Sequence, residues 1–307
     1  MWSNFPKERF SLPGMFSARK LNNPRLFPLY IGFIVFFVIF ALHHSTYIKG
    51  SFMVESSESS VMVIVVTPTY KRYTRVPDMI RMANTLAHVK NLYWIVIEDG
   101  NKTSPAVEDI LEGTGLQYTY MAHPTAKGFP KKGWYQRTMA LRFIRSNTDQ
   151  ILGTSKDGVV YFGDDDNSYD IRLFTDYIRN VKTLGIWAVG YCGGSPVEAP
   201  NVTDGKVASF NVQWSPKRVF AVDMAGFAVN LKVVLNSDAE FGTSCKRGTG
   251  APETCLLEDM GLDRTDIEPF GWEGKEGQRK IYAWHTKTKP PYIKGKLETF
   301  GYQVEIE

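Results

Sequence analysis

An apolar, strand-like run that ends in three consecutive carboxylates constrains the fold of this 307-residue chain most strongly. Residues 159–162 are aliphatic and aromatic, as buried strands are, and Asp164, Asp165 and Asp166 follow after Gly163. Adjacent carboxylates repel one another, and hard divalent cations prefer oxygen ligands that they share with substrate phosphates. Because open α/β sheets bind ligands at the carboxyl ends of their strands, we expect a cation and phosphate site here. The alternative interpretation is a solvated acidic turn.

The amino-terminal region predicts a membrane anchor. Residues 26–42 read LFPLYIGFIVFFVIFAL and carry no charge, which is a short but sufficient length for a bilayer span. Basic residues outnumber acidic ones before this run, so the positive-inside rule keeps the amino terminus in the cytosol. We therefore expect a cytosolic tail at 1–25, a transmembrane signal anchor at 26–42 and a stem at 43–60. A cleaved signal peptide is the alternative.

The remainder alternates between strand-like and helix-like patterns. Residues 61–66 form a continuous apolar run, which is typical of a buried parallel strand, and residues 92–97 form another. Apolar residues at helical spacing predict helices over 76–90 and 134–144. This βαβ order predicts a parallel sheet with helices on both faces. Further strands are expected at 186–192, 207–210, 220–222 and 227–229.

Charge and cysteine content narrow the function further. A net charge of +4 suits a small anionic ligand but is too diffuse for nucleic-acid binding. Of the three cysteines, Cys245 and Cys255 could bridge one loop, while Cys192 fits a buried free thiol. The triplets that begin at Asn101 and Asn201 match the N-glycosylation acceptor sequence, which agrees with a luminal location.

Several motifs resemble one family, the β-1,3-glucuronyltransferases, over about residues 61–290. They are Pro68-Thr69-Tyr70, Glu98-Asp99, Tyr161-Phe162-x-Asp164-Asp165-Asp166-Asn167, the block at 222–229 (VDMAGFAV) and Trp284-His285-Thr286. The resemblance implies a Golgi type II membrane enzyme of the GT-A fold. A UDP-sugar-binding parallel-sheet half (61–199) is expected to be fused to an acceptor-binding half (200–307), which carries the base loop and the carboxyl-terminal segment.

The resemblance also implies an activity. Family members transfer glucuronic acid from UDP-glucuronate to the 3-hydroxyl of a terminal galactose, with inversion and with Mn²⁺. Their acceptors are the proteoglycan linkage region or N-acetyllactosamine-type ends. They are homodimers, in which residues 300–307 of this chain are expected to reach the partner's site.

Individual residues match family positions. Asp166 matches the metal ligand, and Glu253 matches the catalytic base, although Glu253 after Pro252 would by itself suit an ordinary first helical turn. The donor-binding positions are Pro68, Tyr70, Asp99, Lys132, Arg137, Asp164, Asp165, His285 and Lys287. The acceptor-binding positions are Glu198, Trp214, Arg218 and Asp223.

Some residues depart from the family pattern. Lys132 and Lys287 stand where arginines are common, and Thr249 replaces an arginine for which Arg247 could substitute. A lysine keeps the charge but loses the bidentate geometry of arginine. Two alternatives therefore stay open, which are a transferase for another UDP-sugar and an inactive luminal protein that binds a sugar or nucleotide.

Overall fold

The computed structural model describes residues 35–37, 61–275, 277–302 and 304–306. The residues from 61 onward belong to one compact unit. The predicted tail and stem, and the predicted anchor apart from the helical residues 35–37, lie outside the described residues. Within the described part of the chain, no helix has the length and apolarity needed to cross a membrane.

Strands and helices alternate in the first half, and short strands dominate the second. The strands are β1 (Val61–Thr69), β2 (Leu92–Glu98), β3 (Gln117–Ala122), β4 (Asp157–Phe162), β5 (Ser168–Tyr169), β6 (Leu184–Ile186), β7 (Val189–Gly190), β8 (Val197–Thr203), β9 (Lys206–Asn211), β10 (Phe227–Asn230), β11 (Ile267–Pro269) and β12 (Ala283–Trp284). The helices are α1 (Arg75–Leu86), α2 (Pro105–Thr114), α3 (Trp134–Ser146), α4 (Thr148–Leu152), α5 (Leu231–Leu235) and α6 (Pro252–Asp259).

A seven-stranded sheet in the order β11-β6-β10-β4-β1-β2-β3 forms the centre of the fold. Strand β1 pairs in parallel with β2 and β4, and β2 pairs in parallel with β3, which confirms the predicted parallel core. Strand β10 runs antiparallel to both of its neighbours, so the complete sheet is mixed. Because β10 and β11 come from the second half of the chain, the sheet crosses the boundary predicted at residue 199. The functional division there stays a prediction.

Alternate residues of β1 pack into two separate apolar layers. Ile64 and Val66 face the layer that contains Leu141 of α3. Val63 and Val65 face the opposite layer, with Met79 and Met82 of α1. Successive side chains of a strand point to opposite faces, so a strand buried on both sides must be apolar throughout. That requirement explains the uninterrupted apolar run of this strand.

A smaller sheet, in the order β5-β12-β7-β8-β9, lies beyond β4 in the sequence. The single strand predicted over 186–192 is divided in the structure, because β6 joins the large sheet and β7 the small one. The prediction of a strand at 220–222 is wrong. These residues are buried but irregular, and the side chain of Thr254 donates a 2.8 Å hydrogen bond to the Phe220 carbonyl in place of a neighbouring strand.

A disulfide joins the loop before α6 to the helix itself. Cys245 and Cys255 are bonded, with their Cα atoms 5.9 Å apart, and Cys192 is a buried free thiol. Such a short covalent loop typically contributes about 2–3 kcal/mol to stability. The bridged segment contains Glu253, so the covalent link restrains the position of that carboxyl group.

The carboxyl-terminal segment contacts its own chain. Glu305 accepts a 2.7 Å hydrogen bond from Nε of the buried Arg75 and another from the Ser104 hydroxyl at 3.3 Å. Arg75 also pairs with Glu98 at the end of β2. Residues 303 and 307 lie outside the described part, and a reach of this segment into a partner's site stays a prediction.

The contact between β7 and β12 leaves no room for a side chain at Gly190. A Cβ atom there would lie 2.2 Å from Cε3 of Trp284, which is paired with Gly190 in the parallel register. We expect Gly190→Ala to lower the free energy of unfolding by about 1–3 kcal/mol, as overpacking does. Gly113→Ala in α2 is the control, because a Cβ at Gly113 meets nothing within 4 Å. Urea unfolding of both variants checks this, and equal stability of the two would contradict the close packing at Trp284.

Candidate active site

The carboxyl ends of β1, β2 and β4 meet along one edge of the large sheet and border a cavity of about 710 Å³. Eight of the residues predicted to bind the donor or metal line it, namely Pro68, Tyr70, Asp99, Lys132, Arg137, Asp164, Asp165 and Asp166. The sequence analysis did not anticipate the other lining residues, which are Thr69, Lys71, Arg72, Pro124, Thr125, Lys131, Gly133 and Gln136. The cavity volume suits a nucleotide-sized ligand.

The three carboxylates after β4 have three different environments. Asp164 pairs with Arg137 of α3. Asp165 is buried and accepts hydrogen bonds from both terminal nitrogens of Arg72, at 2.9 and 3.0 Å. The Asp166 side chain accepts no hydrogen bond from any residue that the structure describes. The repulsion expected from the sequence is thus balanced by two arginines, which leaves one carboxylate available.

The pKa of Asp166 is raised to about 6 by burial, and the neighbouring carboxylates of Asp164 and Asp165 add to this shift. A positive ion beside Asp166 would act in the opposite direction, because it favours the charged form of the carboxylate. No group of three potential metal-ligating side chains occurs in the described residues. Any cation here therefore depends on Asp166 together with oxygen atoms of a ligand or water, which is a common arrangement for cations bound with phosphates.

Tyr70 and Asp99 directly follow the neighbouring parallel strands β1 and β2, so both lie at the same edge of the sheet. Asp99 accepts two 2.7 Å hydrogen bonds, from the backbone N–H and the hydroxyl of Thr125, so its carboxylate holds the loop after β3. The ring of Tyr70 is 55% exposed, and the Arg72 guanidinium lies 5.0 Å from its centre. The structure thus leaves an aromatic face accessible at the cavity. A contact of either residue with a base stays a prediction.

A second cluster of ionisable groups lies outside the lining of this cavity. His285, which follows β12, has its Nδ1 atom 3.1 Å from Oδ2 of Asp223. That carboxylate raises the pKa of the imidazole. The other oxygen of Asp223 accepts a 3.0 Å hydrogen bond from the Ala225 N–H. The imidazole is also close enough to the carboxylates of Asp164 and Asp166 for them to raise its pKa, so the two clusters adjoin.

Glu253 is buried in the first turn of α6, directly after Pro252. Its Oε2 atom has no hydrogen-bond partner among the described residues. Burial raises the pKa of this carboxyl group to about 7, and the nearby Asp223 adds to the shift, while Arg218 and Arg137 oppose it. A carboxyl group with a pKa near neutrality and an unpartnered oxygen can accept a proton from a bound hydroxyl group.

Three of the predicted acceptor residues surround this region. Arg218 is buried without a carboxylate partner within 4 Å among the described residues, and burial lowers its pKa. Its guanidinium lies 4.7 Å from the centre of the Trp214 ring, which is 44% exposed. Burial also raises the pKa of Glu198, whose Oε1 atom has no partner in the described part. These polar groups provide binding capacity for a polyhydroxylated ligand.

The residues that depart from the family pattern are exposed or are bonded to neighbouring residues. Lys132 and Lys287 are exposed, and the backbone carbonyl of Lys132 accepts a 3.0 Å hydrogen bond from Arg137. Thr249 donates a 2.7 Å hydrogen bond to the Ser215 hydroxyl. Arg247 is bound by Glu258, at 2.7 Å, and by Asp259, so its guanidinium is engaged away from the position of Thr249.

Comparison with known proteins identifies the family of the chain. Residues 82–289 match the model of glycosyltransferase family 43. The galactosylgalactosylxylosylprotein 3-beta-glucuronosyltransferase sqv-8 of Caenorhabditis elegans is 37% identical over 249 residues, which cover 77% of this chain and 67% of the relative. Galactosylgalactosylxylosylprotein 3-beta-glucuronosyltransferase 1 of Homo sapiens is 38% identical over 264 residues, which cover 81% of this chain and 76% of the relative.

The chain belongs to glycosyltransferase family 43. Its architecture is accordingly a mixed α/β glycosyltransferase fold with a parallel core. Among solved structures, S. aureus TarS (residues 1–349) is a distant likeness, with a TM-score of 0.47 and 15% identity over 73% of this chain and 60% of TarS.

The raised pKa of Glu253 has a consequence for stability. A carboxyl group whose pKa rises from 4.5 in the unfolded chain to about 7 in the folded one contributes stability below pH 4.5 that is lost as the pH rises through 7. We therefore compare the free energy of unfolding of Glu253→Gln with that of the wild type at each pH. We expect this difference to favour the variant more at pH 8 than at pH 4.5, by up to about 3 kcal/mol.

Urea unfolding of the wild type and the variant at both pH values measures this difference. Glu112→Gln, at an exposed position of α2, controls for the substitution itself. An effect of Glu253→Gln that is the same at both pH values would show that the Glu253 carboxyl group is not held in a desolvated site.

Proposed function

We propose that the protein is an inverting glycosyltransferase that moves glucuronic acid from UDP-glucuronate to the 3-hydroxyl of a terminal β-galactose, with Mn²⁺ as cofactor and a GT-A-type fold. The relatives named for 3-beta-glucuronosyltransferase activity support this proposal. The observation that carries it is Glu253, which is a buried carboxyl group with a pKa of about 7 and an unpartnered oxygen, near enough to Arg137 of the cavity lining for that guanidinium to lower its pKa.

In the proposed reaction, Glu253 is the general base. Its carboxylate accepts the proton of the acceptor 3-hydroxyl while that oxygen forms a bond to C1 of the donor sugar. The bond between C1 and the diphosphate oxygen breaks, UDP leaves, and the anomeric configuration inverts. The pKa of Glu253 leaves a large fraction of this carboxyl group ionised near neutral pH, which the proton transfer requires.

Donor binding is proposed for the residues of the cavity, with Tyr70 and Asp99 at the nucleoside and Arg137 beside the triplet. Asp166 would hold Mn²⁺, and its unpartnered, partly buried carboxylate fits that role. When bound, the ion would neutralise the charge that develops on the leaving diphosphate. His285 and Lys287 complete the proposed donor site. Lys287, like Lys132, provides charge without a bidentate guanidinium.

Acceptor binding is proposed for the second cluster. The half-exposed ring of Trp214 offers an apolar face to a sugar ring. Two nitrogens of the Arg218 guanidinium donate to the Ser215 and Trp214 carbonyls, and its remaining N–H groups are proposed to bind hydroxyl oxygens. Glu198 and Asp223 accept hydrogen bonds from sugar hydroxyls in this proposal. The acceptor is either the proteoglycan linkage region or an N-acetyllactosamine-type end.

A second candidate function is transfer from a different UDP-sugar. The engagement of Arg247 by Glu258 and Asp259 favours it, because no arginine then compensates for Thr249. Recognition of a uronate carboxylate would rest on lysines and on His285. The third possibility, an inactive protein that binds nucleotide or sugar, is disfavoured by the combination of Glu253 and Asp166.

The cellular setting is also a proposal. The apolar segment at 26–42 and the basic residues before it support a single-pass type II protein of the Golgi membrane with a luminal catalytic part. Asn101 and Asn201 are exposed, as N-glycosylation requires, although the Asn201 amide donates a 3.0 Å hydrogen bond to Ser209. A homodimer is proposed by analogy with the family.

We expect the full chain to release UDP from UDP-glucuronate in the presence of Mn²⁺ and a galactose-terminated acceptor. The assay compares a panel of UDP-sugars and two acceptors, a galactosyl-galactosyl-xyloside and N-acetyllactosamine. Glu253→Gln should lower kcat by a factor of about 10²–10⁴, which is typical for a general base, while UDP binding persists. Preference for another UDP-sugar would favour the second candidate. Undiminished turnover by Glu253→Gln would remove this residue from the mechanism.

A separate prediction concerns the metal. Asp166→Asn should abolish the increase in UDP affinity that Mn²⁺ produces, because the amide cannot supply a charged oxygen ligand. Asp170→Asn is the matched control, since Asp170 lies four residues away and pairs with Arg172 at the surface. Calorimetric titration of UDP with and without Mn²⁺ measures the difference. A response of Asp166→Asn equal to that of Asp170→Asn would place the metal elsewhere.

A further inference from the structure

Arg72, in the loop between β1 and α1, lines the cavity, and every N–H group of its guanidinium donates a hydrogen bond within the protein. Nε donates to the Thr74 hydroxyl at 3.2 Å. One terminal nitrogen donates to Asp165 and to the Tyr70 carbonyl, and the other donates to Asp165 and Asp78. All five N–H groups of the guanidinium thus have an acceptor, and the side chain is only 8% exposed. None of the motifs in the sequence pointed to this residue.

The planar guanidinium is necessary for this arrangement. It binds both oxygens of Asp165, at 2.9 and 3.0 Å, while it also reaches Asp78 at 2.9 Å. A lysine ammonium is a single point with three donors and cannot bridge two carboxylates in a fixed plane. The geometry of the two carboxylates therefore depends on arginine itself and not on positive charge alone.

Asp78 extends this network to the loop that contains His285. The Asp78 carboxylate is fully buried and also accepts a 2.7 Å hydrogen bond from the Thr288 hydroxyl. Two residues earlier, the Thr286 hydroxyl donates to the backbone carbonyl of Asp166 at 2.8 Å. Arg72 consequently restrains Asp166 from two directions, through the adjacent Asp165 and through the 285–288 segment.

We propose that Arg72 is a positioning residue for the cation and diphosphate: by holding Asp165 and Asp78 together, it fixes the backbone so that the Asp166 carboxylate stays available at the cavity. This inference rests on the proposed function, which assigns the metal to Asp166. In this inference Arg72 acts through Asp165 and Asp78, because its N–H groups are all bonded within the protein. Residues that orient a metal ligand typically change metal affinity by about 10–100-fold when they are mutated.

The test uses Arg72→Lys, which keeps the charge and removes the planar fork. The matched control is Arg142→Lys, because Arg142 binds Glu240 through a similar fork, with both bonds at 2.6 Å, at an exposed position away from the cavity. The readout is the Mn²⁺ concentration that half-saturates the Mn²⁺-dependent binding of UDP, measured by calorimetry, together with the thermal midpoint of each variant.

We expect Arg72→Lys to raise the half-saturating Mn²⁺ concentration about tenfold or more, and Arg142→Lys to change it less than about twofold. Excess Mn²⁺ should restore UDP binding by Arg72→Lys, because Asp166 is intact. A half-saturating concentration within about twofold of the wild-type value would overturn the inference. So would a loss of UDP binding that excess Mn²⁺ does not restore and that accompanies a lowered thermal midpoint, which is the signature of a purely structural ion pair.

Asp78→Asn keeps the test decisive if Arg72→Lys does not fold. It weakens the second anchor of Arg72 and leaves the fork on Asp165 in place. We expect a smaller increase in the half-saturating Mn²⁺ concentration, of about threefold, and no increase would contradict the inference. Wild-type protein that shows no Mn²⁺-dependent UDP binding would refute the proposed function and this role together. A normal wild type with unchanged variants would refute the role of Arg72 alone.

Discussion

Charge balance around the three carboxylates after β4 is the constraint on which the rest of this site depends. Two like charges about 4 Å apart at a protein surface repel by roughly 4 kcal/mol, so three adjacent carboxylates need compensation. The compensation comes from Arg137, 27 residues earlier in the chain, and from Arg72, 93 residues earlier. The charges of the triplet are therefore balanced only when the fold brings together the ends of β1 and β4 and the start of α3. The parallel pairing of β1 with β4 places their ends side by side.

Burial acts on two carboxyl groups in this site with different consequences. It raises the pKa of Asp166 to about 6 and that of Glu253 to about 7. At Asp166, neighbouring negative charges add to the shift, and a bound cation would reverse it. At Glu253, the shift brings the pKa close to the value at which a base is both ionised and able to accept a proton. In the proposed function, a bound cation would thus offset the cost of desolvation at Asp166, whereas at Glu253 the same desolvation favours proton transfer.

The sequence predicted the parts of the fold in which local pattern and burial coincide. Strand β1 and strand β2 are continuous apolar runs because they are buried on both faces, and their polar ends meet at one edge as expected. Residues 220–222 show the limit of that reasoning. They are apolar because they are buried, but a side chain, Thr254, satisfies their backbone, and no local pattern distinguishes that outcome from a strand.

The role proposed for Arg72 could not be predicted from the sequence either, because it depends on contacts that form only in the folded chain. A single arginine after a strand is equally consistent with an exposed side chain, and its partners Asp165 and Asp78 are identified only by the folded geometry. The engagement of Arg247 by Glu258 and Asp259 is of the same kind. Ion pairs of this kind leave no periodicity in the sequence, whereas buried strands do.

The segment from His285 to Thr288 connects the two clusters physically. His285 bonds to Asp223 in the second cluster, Thr286 bonds to the backbone of Asp166 in the triplet, and Thr288 bonds to Asp78 behind it. A displacement of this short segment would alter the environment of both clusters at once. Since an inverting transfer requires the base and the leaving group on opposite faces of one sugar ring, a shared rigid segment is a direct way to keep the two clusters in a fixed relation. The buried Arg72–Asp78 ion pair, at 2.9 Å, joins Thr288 of this segment to Asp165 of the triplet, so in the proposed function it links the charge balance of the triplet to the geometry of the transfer.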